Sequence, residues 1–99
     1  MTIKKLLISN RGEIASRIIK SAHDMGITCV AIYTEADKNT PYVREADQSF
    51  KLSDSYLNGK EILEIAKKNN VDAIHPGYGF LSENANFANN VKKAGMKWV

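Results

Sequence analysis

The chain has 99 residues, 43% of them hydrophobic and 25% charged, with a formal net charge of +3. That length holds one domain of ordinary globular composition; with no apolar run able to span a bilayer and no hydrophobic leader, the expectation is a cytoplasmic protein with no membrane contact. The charge excess does not imply nucleic acid as a partner, because Lys67, Lys68, Lys92 and Lys93 fall in the last turns of two predicted helices, where cations complement the helix dipole.

Residues 3–9 hold Leu6, Leu7 and Ile8 in succession, the pattern of a strand buried on both faces, and predict the first and central strand of a sheet. Asn10 then reads as an N-cap with Glu13 completing a capping box, and Ile14, Ile18 and Ala22 recur every four residues along a helix that Gly26 ends. Residues 28–33 are β-branched and aromatic, so they predict a second strand, and the crossover between them demands parallel pairing. Residues 34–47 are polar and loop-like, with Pro41 at the first position of a short helical turn over 41–46. A short strand is expected at 49–52. Asn58 and Glu61 mark the start of a helix that buries Ile62, Ile65 and Ala66 and ends at Asn69 and Asn70. Residues 71–75 predict a strand, 82–94 a helix with Phe87, Ala88 and Val91 on one face and Gly95 beyond its end, and 96–99 the start of another strand. Strands alternating with helices at these spacings indicate an α/β fold, a doubly wound, Rossmann-like parallel sheet with helices on both faces. The last strand breaks off as it begins, so the chain reads as a piece of something longer.

Ligands of open parallel sheets gather at the carboxyl ends of the strands, which directs attention to two loops. The turn Ser9-Asn10-Arg11-Gly12-Glu13 stands where a phosphate-binding turn would, but it has one glycine where the dinucleotide fingerprint needs three, and Arg11 and Glu13 read as a charged helix start. The loop 75–84, His-Pro-Gly-Tyr-Gly-Phe-Leu-Ser-Glu-Asn, carries glycines on both sides of Tyr78, which free the backbone for positive φ or for close approach of a ligand. Two readings stay open: a ligand-facing loop, or a rigid loop with Tyr78 and Phe80 tucked into the core. His75 reads as a structural histidine. Cys29 reads as a buried structural thiol, and His23 lies on the polar side of the first helix. No metal-ligand spacing, nucleophile elbow or P-loop is present, so no catalytic residue and no metal site is expected.

Asn10-Arg11-Gly12-Glu13-Ile14-Ala15, Glu45-Ala46-Asp47, Ser55-Tyr56-Leu57-Asn58 and the whole of 75–88, in this order and spacing, resemble the N-terminal domain of biotin carboxylases, the components found in acetyl-CoA, propionyl-CoA and pyruvate carboxylases. The resemblance covers the whole chain, and the block 75–84 is its most specific part. It implies that residues 1–99 form a pre-ATP-grasp domain that precedes an ATP-grasp domain of the same chain. There, ATP, Mg²⁺ and bicarbonate would form carboxyphosphate and carboxylate N1 of carrier-bound biotin. The isolated chain would then lack the catalytic residues.

The same resemblance implies that Tyr78, Gly79 and Phe80 lie against biotin and that Arg17, Lys20 and Asp24 face a homodimer partner. It also implies biotin carboxyl carrier and carboxyltransferase partners. At Lys20 and Asp24 the family often has Arg and Glu, which keeps the charge sign. Tyr42 stands where the family usually has His, Gly59 replaces a usual apolar residue, and the segment from Asp47 to Ser55 is shorter than in many bacterial subunits. Two other readings compete: a pre-ATP-grasp domain from another ATP-grasp ligase, and a module that only dimerises through its first helix.

Overall fold

The computed structural model describes residues 2–99. The chain order is β1 (Lys5–Ile8), α1 (Gly12–Asp24), β2 (Thr28–Tyr33), a 3₁₀ turn (Glu35–Asp37), α2 (Pro41–Glu45), β3 (Gln48–Lys51), α3 (Gly59–Lys68), β4 (Ala73–His75), α4 (Ala85–Lys93) and β5 (Lys97–Trp98). All pairings are parallel and the strand order is β3-β2-β1-β4-β5. β1 is therefore central, as its apolar run predicts, and the order of connection reverses beside it: the chain winds outward through β2 and β3, then returns to place β4 on the other flank of β1.

Successive strand residues point to opposite faces, which divides the core in two. Leu7, Val30, Ile32 and Ile74 pack under Ile62, Ala66, Phe87 and Val91 of α3 and α4. Leu6, Ile8, Cys29, Ala31 and Ala73 pack under Ala15, Ile19 and Ala22 of α1, with Tyr42 of α2. Helices thus cover both faces. In α1 the fully buried stripe is Ala15, Ile19 and Ala22, one position on from the expected Ile14 and Ile18, which are half-buried at the edge of that face. Small residues in this stripe let the helix lie close on the sheet.

Two helices begin on an asparagine cap, of which the sequence predicts the one at Asn58. Asn58 Oδ1 accepts from Glu61 N at 3.1 Å, and Asn84 Oδ1 accepts from Phe87 N at 2.8 Å. The second cap starts α4 at Ala85, three residues later than expected, because 79–82 form a separate turn closed by Ser82 N donating to Gly79 O at 2.9 Å. The short 3₁₀ turn within the polar 34–47 segment was not expected either; Thr40 Oγ1 fastens it by donating to Asp37 O at 2.7 Å. Gly59 sits where a Cβ would approach the Phe87 ring to 2.8 Å, so its lack of a side chain lets α3 and α4 meet.

Candidate functional site

The reversal of connection beside β1 leaves the carboxyl ends of β1 and β4 next to each other with their following loops diverging, the crevice in which doubly wound sheets hold ligands. Ser9 N donates to His75 O at 2.9 Å, carrying the β1–β4 pairing one step past the strands. Beyond that step the loops are joined by a side chain. Asn10 is 1% exposed, and its Nδ2 donates to Pro76 O at 2.8 Å and to Tyr78 O at 2.6 Å, while its Oδ1 accepts from Arg11 N at 2.8 Å. This replaces the capping role expected from the sequence. The N-cap position of α1 is Arg11, which makes no side-chain cap, and the Asn10 amide instead serves the loop across the crevice.

The 75–84 loop is shaped to accept that clamp. Gly77 has φ +65°, and a Cβ there would meet Asn10 Nδ2 at 2.8 Å and Ile14 Cγ2 at 3.0 Å, so both its conformation and its packing require glycine. Gly79 has the same φ of +65°, yet nothing lies within 4 Å of where its Cβ would be; its bare backbone faces open space. Phe80 follows at φ +48°, an unusual value for a side chain of its size. Its ring is held by Tyr56 at a centroid distance of 5.2 Å and remains 42% exposed. Tyr78 is 76% exposed. The core-tucked reading of Tyr78 is thereby excluded. Tyr78 also borders an apolar groove of about 530 Å³ that runs along α1 past Ile14, Ile18 and Met25 to Val99.

On the other side of the crevice, Arg11 is fixed in a charge network that its position in the sequence did not disclose. Its Nε and Nη2 each donate to Asp37 at 2.7 Å, a bidentate pair with the carboxylate buried and the guanidinium about half exposed. Tyr56 OH donates to Asp37 Oδ2 at 2.6 Å and accepts from Thr34 N at 3.1 Å. Tyr42 OH donates to Ile32 O at 2.9 Å and lies 2.7 Å from Tyr56 OH. The Arg11 guanidinium, ahead of the opposing effect of burial, holds the Asp37 carboxyl below its ordinary range, and Asp37 in turn raises Arg11. Burial pushes the Tyr42 phenol well above its usual value. Tyr42, in the position where the resemblance leads one to expect His, is thus a neutral hydrogen-bonded core residue.

Arg17, Lys20 and Asp24 stand together on the exposed side of α1, and Arg17 also lines the groove that Tyr78 borders; Lys20 and Asp24 form an exposed i, i+4 pair at 4.0 Å. The sequence-predicted residues therefore lie on two elements, Tyr78, Gly79 and Phe80 on the 75–84 loop and the trio on α1, and one groove is lined by both Tyr78 and Arg17. Asn10, Asp37 and Tyr56 complete the crevice and were not singled out as site residues. For Asn10 the only available signal is the bulky-residue exclusion at Gly77, which shows no pattern in a single sequence. No phosphate loop and no cluster of acidic metal ligands lines the crevice among the described residues.

Residues 2–99 match the family model of the biotin carboxylase N-terminal domain. Biotin carboxylase 1 of Bacillus subtilis is 51% identical over 102 aligned residues, which cover 98% of this chain and 23% of that protein. Pyruvate carboxylase of Staphylococcus aureus is 48% identical over 103 residues, covering 98% of this chain and 9% of the relative. Among solved structures, the biotin carboxylase domain dimer of Hydrogenobacter thermophilus 2-oxoglutarate carboxylase, determined with MgADP, ADP and bicarbonate, superposes with a TM-score of 0.95 at 39% identity, over 99% of this chain and 22% of that one. The chain spans less than a quarter of the length of these relatives.

His75 gives the loop a pH dependence. Its Nδ1 accepts from Gly77 N at 3.1 Å, which requires the neutral ring, and burial lowers its pKa from the ordinary 6.5. A folded-state value below the unfolded one means that the unfolded chain takes up the proton first. The stabilisation is then present above the unfolded pKa and is lost as pH falls toward the folded value. His75→Asn keeps an acceptor near the Nδ1 position without titrating. Between about pH 7.5 and about pH 5 the wild-type thermal midpoint should fall more than that of the variant, and equal slopes would remove His75 from the linkage.

Proposed function

The chain belongs to the biotin carboxylase N-terminal domain family, and we propose that it acts within a longer ligase that uses ATP and bicarbonate to carboxylate carrier-bound biotin, supplying the 75–84 loop as one wall of the biotin site. The observation that carries this reading is the form of that loop: Tyr78 is 76% exposed, and Gly79 turns bare backbone toward open space where packing does not require glycine. A flat bicyclic ligand can reach such a backbone, with the Tyr78 and Phe80 rings beside it.

In this reading, residues 1–99 are the pre-ATP-grasp domain, and the groups that bind ATP and Mg²⁺ belong to the ATP-grasp domain, which also performs the chemistry once biotin is presented. What this chain does is position. Asn10 holds two loop carbonyls and so sets the height of Tyr78 above the crevice. Gly77 admits the Asn10 amide. The neutral His75 ring fixes the first peptide of the loop, and Tyr56 seats Phe80 from below. Carrier and carboxyltransferase partners follow from the same reading, as does a homodimer. Arg17, Lys20 and Asp24 project from α1 beside the exposed Met25, a mixed charged and apolar surface that a second subunit would cover.

In the complete carboxylase, Tyr78→Ala should raise KM for free biotin several-fold and leave the thermal midpoint nearly unchanged, because an exposed ring contributes little to the core. A variant of lowered stability whose folded fraction shows unaltered biotin kinetics would overturn the assignment of this loop. Charge reversal at Arg17 or Lys20 should weaken subunit association in a salt-dependent manner, since exposed pairs are individually worth under about 1 kcal/mol and are screened by salt. Sedimentation unchanged at low protein concentration would take α1 out of the interface.

A further inference from the structure

Opposite the crevice, where the strands begin, the fold assembles a group of side chains that plays no part in the function described above. His23 lies at the end of α1, Cys29 is the second residue of β2, and Asp47 immediately precedes β3. In the sequence they are unconnected, and no metal-ligand spacing is apparent. In the structure, one ligand atom from each, His23 imidazole nitrogen, Cys29 Sγ and an Asp47 carboxylate oxygen, lies within 4.8 Å of the other two.

We propose that His23, Cys29 and Asp47 form a binding site for a borderline-to-soft divalent cation of the Zn²⁺ and Cd²⁺ class. Imidazole, thiolate and carboxylate are the donor types such ions prefer, at bond lengths of about 2.0–2.3 Å, which place tetrahedral ligand atoms about 3.3–3.7 Å apart. Cys29 is fully buried, and its Sγ makes only long contacts, 3.9 Å to Ile19 O and 3.8 Å to Ile27 O. Asp47 is oriented in advance: Cys29 N donates to its Oδ2 at 2.8 Å, and Asp47 N donates to Cys29 O at 3.0 Å. A ligand already held by a backbone amide loses little freedom on coordination. His23 Nε2 meets the same Oδ2 at 2.8 Å, and both side chains are partly exposed, His23 at 38% and Asp47 at 46%. The cation enters from that open side, separates the His23–Asp47 contact, and leaves its fourth position to water.

Charge supports the assignment. A divalent cation with one thiolate, one carboxylate and a neutral imidazole is electrically neutral, which suits a half-buried setting that would penalise a net charge. Burial pushes the Cys29 thiol up to about 11, so the free chain holds a protonated thiol. Coordination replaces the S–H bond with an S–metal bond and releases that proton to solvent; no electron is transferred. The bound ion links the end of α1 to the starts of β2 and β3, so its effect is on stability and not on the crevice.

The chain has one cysteine, which makes the test direct. Titrating the intact chain with Cd²⁺ should produce a near-ultraviolet thiolate-to-cadmium charge-transfer band that can come only from Cys29, with release of one proton per ion bound. Added Zn²⁺ should bleach that band, and Zn²⁺ alone should raise the thermal midpoint. His23→Gln and Asp47→Asn alter exposed groups, and each should weaken Cd²⁺ binding by roughly tenfold or more, whereas His75→Gln should leave it unchanged. Cys29→Ala should abolish the band; should that core variant not fold, the His23 and Asp47 variants decide the matter. Absence of a band at saturating Cd²⁺, or affinities in H23Q and D47N equal to wild type, would overturn the site.

Discussion

Asn10 stands at the point where the sheet reverses its order of connection, and its carboxamide is the only side chain that bonds to both loops of the crevice among the described residues. An amide can donate twice and accept from further donors, and here the nitrogen serves Pro76 O and Tyr78 O while the oxygen serves Arg11 N. Buried at 1% exposure, it has no water to fall back on. Losing it would leave the buried Pro76 carbonyl unpaired, at about 1–3 kcal/mol, and release the part-buried Tyr78 carbonyl. Gly77 is required because Asn10 fills the space that a Cβ would need, and Tyr78 is held outward because its own carbonyl is tied inward.

The other wall of the crevice is anchored by charge. Asp37 is buried and takes two bonds from Arg11 and one from Tyr56, so its desolvation is offset by three strong donors. Tyr56 then carries that anchor across: its hydroxyl meets Asp37, Thr34 N and Tyr42, while its ring supports Phe80 of the 75–84 loop. The start of α1, the 3₁₀ turn, α2 and the loop are consequently parts of one network around the ends of β1 and β2. That network ties the start of α1 to the turn after β2 and supports Phe80 from the same anchor.

Where local chemistry decides the structure, it was legible in the sequence. The apolar run of β1, the β-branched run of β2, Pro41 at the start of α2, and the caps Asn58 and Gly95 all lie where patterning places them. Asn10 was misread because an asparagine followed by glutamate three residues later has the form of a capping box, and only the approach of the β4 loop, more than sixty residues away, gives its amide better partners. Ile14 and Ile18 were misread for a similar reason: spacing of four marks a face, but the sheet selects the neighbouring stripe of Ala15, Ile19 and Ala22. The Asp37–Arg11 pair and the His23–Cys29–Asp47 group join residues from separate elements, and no local pattern signals them. No local pattern in the 75–84 loop sets which way the Tyr78 ring faces; its exposure excludes a core-tucked ring.

The family relationship places the chain, and the geometry shows a glycine-flanked aromatic held at the mouth of a crevice. The central claim is that a single carboxamide provides that hold. Amide hydrogen exchange on the wild-type chain and on Asn10→Ala tests it most directly. The account predicts that protection is lost selectively in residues 76–82, with β1, β2 and α3 exchanging as before. Unchanged protection in that loop would contradict it.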